Sequence, residues 1–184
     1  MIKASKAFTM IEILVAIALI GVIAAVILPM LFRRAPGADW KTIGRELNNL
    51  VAFTRQEAIA NQKTHRLVFQ RRPNEADSVR IEEELPNPEK PGQLMYKPAK
   101  SEYFSTTYKL PSTVKIKTVY MGRQEMFEEK RGVAYCYVIH DGLVQDVLVH
   151  LVRRIDNNEI VASYKMNPFL GRFEFYDGVL RPER

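Results

Sequence analysis

One carboxylate stands where charge is costly. Glu12 lies at the front of an apolar run that carries no charged residue from Ile13 to Phe32 and is closed by Arg33-Arg34. An ionisable side chain inside a membrane-length apolar segment costs roughly 2.5–3.5 kcal/mol on insertion scales, so Glu12 reads as functional. Other residues with chemical capacity are sparse. Cys136, His140 and Asp141 are close in sequence, while His65 and His150 stand apart. Structural zinc takes four convergent ligands, usually in paired Cys or His spacings. A Cys–His nucleophile needs an orienting group and oxyanion donors. Neither pattern is present, so Cys136 reads as a buried thiol and His140 as a residue at a hairpin end. Glu82-Glu83-Glu84 reads as a solvated strand edge. With no glycine-rich phosphate loop and no metalloprotease motif, the sequence implies no catalytic residues, no metal and no cofactor.

The totals bound what surrounds Glu12. The chain has 184 residues, a formal charge of +6 and 47% hydrophobic content. That is one domain of ordinary size plus an appendage. Two positive charges, Lys3 and Lys6, precede the apolar run, which leaves +4 for everything after Ala7 (6 − 2). So small an excess permits contact with anionic lipid or nucleic acid without arguing for either. Cys136 is the single cysteine, which excludes an internal disulfide.

The N-terminus has three readings. A secretory signal peptide fits the basic start and the small pairs Ala16-Ile17-Ala18 or Ala24-Ala25, but not Glu12 or the continuation to Phe32. A single-pass anchor fits the length, because about 20 apolar residues span the hydrocarbon core, and the basic start places the N-terminus in the cytoplasm. The third reading comes from Phe8-Thr9-Met10-Ile11-Glu12-Ile13-Leu14-Val15, which resembles the N-terminal motif of type IV pilins and type II secretion pseudopilins. That resemblance implies cleavage by prepilin peptidase between Ala7 and Phe8, N-methylation of Phe8, an assembly role for Glu12 and a helix kink at Pro29. Ala7 departs from the family's usual glycine, which implies slower cleavage. A carboxylate in hydrocarbon calls for a counter-charge, and cleavage creates one, the amine of Phe8.

After Ala35-Pro36-Gly37-Ala38 breaks the pattern, Asp39 offers an N-cap. Trp40, Ile43, Leu47, Leu50, Thr54 and Ala58 then recur at helical spacing. The spacing predicts an amphipathic helix over residues 39–61. Strands are expected near residues 64–69, 79–85, 103–110 and 113–120, with a proline-rich surface loop from Pro86 to Lys100 and a charged connection over residues 124–131. Asp141-Gly142 between residues 133–140 and 143–152 predicts a two-residue hairpin. Further turns are expected at Asn157-Asn158, at Asn167 to Gly171 and at Asp177-Gly178.

Leu50 to Gln62, followed by Leu67-Val68-Phe69, is similar to the H-type minor pseudopilins and the FimT-like minor pilins. Their helix ends in an Ala-Arg-x-x-Ala pattern; Thr54 replaces the first alanine here, while Arg55 and Ala58 are kept. The resemblance implies an α+β, pilin-like fold. A long N-terminal membrane helix continues, with kinks, into an amphipathic helix packed on an antiparallel β-sheet domain. It divides the chain into a leader (1–7), a transmembrane and filament-core helix (8–34) and a periplasmic domain (35–184). It also implies a non-enzymatic minor pseudopilin of type II secretion, set in the bacterial inner membrane with its N-terminus cytoplasmic. Its partners would be prepilin peptidase and other pilins. The alternative is a FimT-like minor pilin that contacts DNA through Arg172, Arg181 and Arg184. A third reading is a membrane-anchored periplasmic enzyme or binding domain.

Overall fold

In a computed structural model of the chain, residues 10–32, 40–127, 132–155 and 158–182 are described. The chain forms two compact units, residues 1–37 and 38–184. The first contributes one helix, α1 (Met10–Phe32). At a rise of about 1.5 Å per residue its 23 residues measure about 34 Å.

The second unit begins with α2 (Trp40–Asn61), close to the span that its periodicity predicts. Ile43, Leu47, Leu50, Val51, Thr54 and Ala58 are buried along one face. Each large aliphatic side chain taken from water there contributes about 1.5–3 kcal/mol. The buried Thr54 hydroxyl donates back to Leu50 O at 2.6 Å, so it leaves no polar group unmet. The helix stops through a left-handed residue, Gln62 (φ +53). Lys63 N then reaches Ala58 O at 3.2 Å, the long closing bond of a Schellman cap.

Among the described residues ten strands follow, in two antiparallel sheets. The first sheet has the order β3-β2-β1-β7, with β4 also paired to β2. Its members are β1 (His65–Gln70), β2 (Ser78–Pro86), β3 (Leu94–Pro98), β4 (Thr107–Lys109) and β7 (Val133–Val138). The second has the order β10-β9-β8-β5-β6. It holds β5 (Val114–Met121), β6 (Gln124–Glu125), β8 (Leu148–Ile155), β9 (Asn158–Asn167) and β10 (Arg172–Asp177). α2 packs on β1, β2, β4 and β7 of the first sheet and on β10 of the second. The core lies between, built from Leu67, Phe69, Val79, Ile81, Val119, Val149, Tyr164 and Met166 with the buried face of α2.

Asp77 ties the sheets together. Its buried carboxylate accepts from Arg72 N at 2.9 Å and from Ile116 N at 2.7 Å, and it lies 3.3 Å from Lys115 Nζ. A carboxylate buried on those terms is stable because each oxygen has donors.

Several sequence expectations are corrected. The Asp141-Gly142 turn forms, with Gly142 N donating to Ile139 O at 2.8 Å and Ile139 N to Leu143 O at 3.0 Å. Yet the strands on either side do not make a hairpin. Among the described residues their ladder is one bridge, Val138↔Val144, after which β8 enters the other sheet between β5 and β9. Turn chemistry is local, whereas ladder partners are chosen by the core. The stretch from Pro86 to Lys100 is not all loop, since β3 pairs with β2 from Glu82↔Pro98 to Pro86↔Leu94. Pro86 and Pro98 sit at the ends of this edge ladder, where a missing N–H is tolerated, and Pro88 and Pro91 lie in the connection between the strands. In residues 103–110 only Thr107–Lys109 is strand, and Gln124–Glu125 of the charged connection is strand β6; residues 128–131 lie outside the described residues.

Glu82 is not on a solvated edge either. β2 is an interior strand, and the Glu82 side chain is 7% exposed between Arg66 at 2.7 Å and Arg80 at 2.9 Å. The Arg66 guanidinium lies 4.0 Å from the Tyr96 ring centroid and 4.1 Å from that of Tyr135. Tyr96 in turn donates to Glu84 at 2.9 Å. Burial, reinforced by that hydrogen bond, pushes the Tyr96 phenol up to about 12.

Candidate functional site

Two features carry the functional reading, α1 and the C-terminal turns of α2. α1 has no polar face. Ile11, Ile13, Leu14, Val15, Ile17, Leu19, Ile20, Val22 and Ile23 are all exposed, and they occupy every side of the helix. A helix that is apolar all round is stable in lipid or among other helices, not in water. Glu12, in its first turn, is the acidic exception. The helix continues through Pro29 to Phe32, so the proline lies inside it, where a missing N–H and ring contact bend helices. Among the described residues no helix is long and apolar enough to cross a membrane. The described side chains of α1 stop at Ile23 and Ala25, so the span expected over residues 8–34 rests on its sequence. Ala7 and Phe8, the expected cleavage and methylation positions, lie outside the described residues.

The Arg-x-x-Ala portion of the family pattern acquires a physical role at the end of α2. Arg55 Nε donates to Gly142 O at 2.8 Å, and its Nη1 donates to Leu170 O at 3.1 Å. One guanidinium therefore holds the turn after β7 and the turn before β10. Both turns bring a glycine against α2. At Gly142 the backbone is left-handed (φ +85), and a Cβ would lie 2.7 Å from Ile59 Cδ1, so that side chain would have to shift. Gly171 (φ +59) faces the Arg55 side chain more closely still. Ala58, on the buried face of the helix, is fully enclosed. Two helical turns before Arg55 the side-chain amide of Asn48 pairs with β10 as a strand would. It accepts from Phe173 N at 2.6 Å and donates to Phe173 O at 3.1 Å. Sequence reasoning missed Asn48, which has no local signal.

The metal and nucleophile candidates do not converge. Cys136 points into the core of the first sheet, opposite Leu67, whereas His140 is exposed in the following turn. Burial pushes the Cys136 thiol up to about 12, with the charge of Asp146 adding to it. His65 is buried and donates from Nδ1 to Lys63 O at 3.1 Å. His150 lies in the other sheet, in contact with Leu180 O at 2.9 Å. Among the described residues no cluster of three metal-ligating side chains occurs. Arg172 and Arg181 are exposed but lie at and beyond opposite ends of β10, whose rise places its ends about 17 Å apart; Arg184 is outside the described residues.

A family model described as the prokaryotic N-terminal methylation motif matches residues 2–28. No curated protein sequence matches the chain. Among solved structures, the minor pseudopilin EpsH from the Type 2 Secretion System of Vibrio cholerae is similar, with a TM-score of 0.50 at 8% identity. That match covers 76% of this chain and 98% of EpsH. A crystal structure of the same pseudopilin gives 0.49 at 10% identity, over 76% and 94% of the two chains. At that identity the likeness is one of fold. The chain carries a prepilin-type methylation motif ahead of a pilin-like α+β domain.

Proposed function

We propose that the chain is a minor pseudopilin of a type II secretion system, an assembly subunit and not an enzyme. The observation that carries this reading is α1, a helix apolar on all sides with one carboxylate in its first turn, whose residues up to 28 fall within the matched methylation motif. In this reading α1 holds the precursor in the inner membrane, N-terminus cytoplasmic and folded domain periplasmic. Prepilin peptidase cuts between Ala7 and Phe8 and methylates the new amine. The amine of Phe8 in a neighbouring subunit then becomes the counter-charge of Glu12, which removes the cost of a lone carboxylate in hydrocarbon. Small residues along α1 (Ala16, Ala18, Gly21) let the helices pack closely in the filament core. The fold likeness to EpsH, a pseudopilin of a Type 2 Secretion System, is consistent with the secretion assignment.

Co-expression with a prepilin peptidase tests the reading. Mass spectrometry is expected to show a mature chain that begins at Phe8; only full-length protein, or cutting after Ala18 or Ala25, would overturn it. Glu12→Ala is expected to insert into membranes but to be lost from filaments. Normal incorporation of that variant would remove the role given to Glu12. DNA contact through Arg172, Arg181 and Arg184 is the competing reading, and salt-sensitive gel shifts of the intact chain would favour it.

A further inference from the structure

The hairpin of β8 and β9 outruns its neighbours in the second sheet. β5 pairs with β8 no further than Val114↔Arg153, and β10 pairs with β9 no further than Asp177↔Ala162. The β8–β9 ladder itself continues through Arg153↔Ile160 and Arg154↔Glu159 to Ile155↔Asn158. Side chains alternate between the faces of a sheet, so Arg153, Ile155 and Ile160 prolong the face that carries Leu151, Ala162 and Tyr164 into the core. α2, which packs over the core, begins only at Trp40. There the Tyr164 hydroxyl donates to Trp40 O at 2.7 Å, and the Arg153 guanidinium lies 5.3 Å from the Trp40 ring centroid. Past that point the core face loses its cover among the described residues. Ile155 is 38% exposed, Ile160 37%, and Phe175, the register partner of Tyr164, 42%.

The outer face of the same sheet is already occupied by the chain's own C-terminal segment, where Ser163 Oγ donates to Gly178 O at 2.6 Å. The open inner end combines aromatic, aliphatic and basic side chains. Among the described residues Lys41, Lys117, Arg153 and Arg154 stand at this end against Glu159 and Asp177, a local excess of +2 (4 − 2). The Arg154 side chain stays 80% exposed while it bridges Glu159 at 2.8 Å, and Lys117 reaches the same carboxylate at 3.4 Å. Such a mixture suits a bilayer surface, where an indole ring sits at headgroup level and long basic side chains reach the phosphates. A second copy of the chain is the poorer occupant, because each copy carries a formal charge of +6. Trp40 also stands only eight positions after Phe32 (40 − 32), so α1 leads into this end of the domain.

We propose that this end of the domain, formed by Trp40 and the β8–β9 hairpin, docks on the anionic phospholipid surface that holds α1. The inference rests on the anchored reading of α1. It gives the subunit two membrane contacts of different kinds, an apolar helix that salt does not affect and a headgroup contact that salt weakens. Transfer of the subunit into a filament then has to break the second contact as well as withdraw the first.

Trp40 is the single tryptophan, so the intact chain carries its own reporter. The test reconstitutes the chain into phosphatidylcholine vesicles with and without phosphatidylglycerol, using acyl chains brominated close to the headgroup. Quenching of Trp40 is expected to be at least about twofold greater in the anionic vesicles and to fall to the neutral level in molar salt. Arg154→Glu is expected to abolish the difference, and so is Ile155→Ser combined with Ile160→Ser. Equal quenching in the two vesicles, with the chain still held against alkaline carbonate, would overturn the docking and leave the anchored reading standing. Loss of the chain to carbonate would overturn the anchored reading and the docking with it. Quenching unchanged in both hairpin variants would trace the signal to the tether alone and overturn the docking. Equal quenching joined to shielding of Trp40 from aqueous acrylamide by added pilin subunits would give the face to a protein neighbour instead. Should a variant fail to fold, the comparison of the two vesicles on the unsubstituted chain still decides.

Discussion

Arg55 Nε lies 2.8 Å from Gly142 O, joining the last turns of α2 to a bend 87 residues further along the chain. The same guanidinium reaches Leu170 O, so one side chain fastens two turns that have no ladder between them. Hydrogen bonds from a charged donor contribute about 1.5–3 kcal/mol when they are sheltered from water, and less at the exposed Leu170 contact. Arg55→Ala should destabilise the domain by about 1–3 kcal/mol in denaturant unfolding. Arg55→Lys should recover only part, because a point charge cannot span both carbonyls.

Glu82 is the hub of a half-buried ionic group, 7% exposed and held by Arg66 and Arg80. Removing one partner of a buried pair leaves the other charge uncompensated, at a cost of about 3–5 kcal/mol. Glu82→Ala should approach that loss. Glu159, exposed between Arg154 and Lys117, offers the contrast: Glu159→Ala should leave the unfolding midpoint within error.

Burial holds the His150 imidazole below its ordinary value; the Leu180 carbonyl opposes the shift and the charge of Lys117 adds to it. The unfolded chain therefore takes up the proton more readily than the folded one. Stability tied to neutral His150 is complete above about pH 6.5 and is lost as pH falls through that value towards the folded pKa. Unfolding midpoints measured from pH 8 down to pH 5 should fall, and His150→Gln should remove the part of the slope due to this group. An unchanged slope in the variant would assign it elsewhere.

Gln62 adopts φ +53 at the end of α2, a conformation that costs non-glycine residues about 1–2 kcal/mol. Glycine there removes the strain but gives up the Gln62 Nε2 contact to Ile59 O and adds unfolded-state entropy. Gln62→Gly should raise stability by about 0.5–1 kcal/mol, read as a higher thermal midpoint.

Cys136, buried and with its thiol pushed up to about 12, should resist alkylation at pH 8 while the domain is folded. Labelling should accelerate on addition of urea, in step with the loss of circular dichroism. Rapid labelling of the folded chain would place the thiol outside the core.

The sequence by itself determined α1, α2 and the strand-rich remainder. An uncharged run from Ile13 to Phe32 and an apolar recurrence from Trp40 to Ala58 each repeat a local pattern many times, so single residues do not obscure them. Glu12 was legible because its surroundings lie next to it in the chain. Arg55 was visible as part of a motif but without a task. Tertiary structure alone decided the partners: that β7 and β8 enter different sheets despite the Asp141-Gly142 turn between them, that Glu82 is enclosed by arginines, and that β3 joins an edge. It also decided that Asn48 and Arg55 grip segments 125 and 87 residues away. The physical reason is range. Helical periodicity and turn chemistry act over a few residues, whereas ladders, buried ion pairs and the seat of the C-terminal segment depend on which surfaces the core brings together.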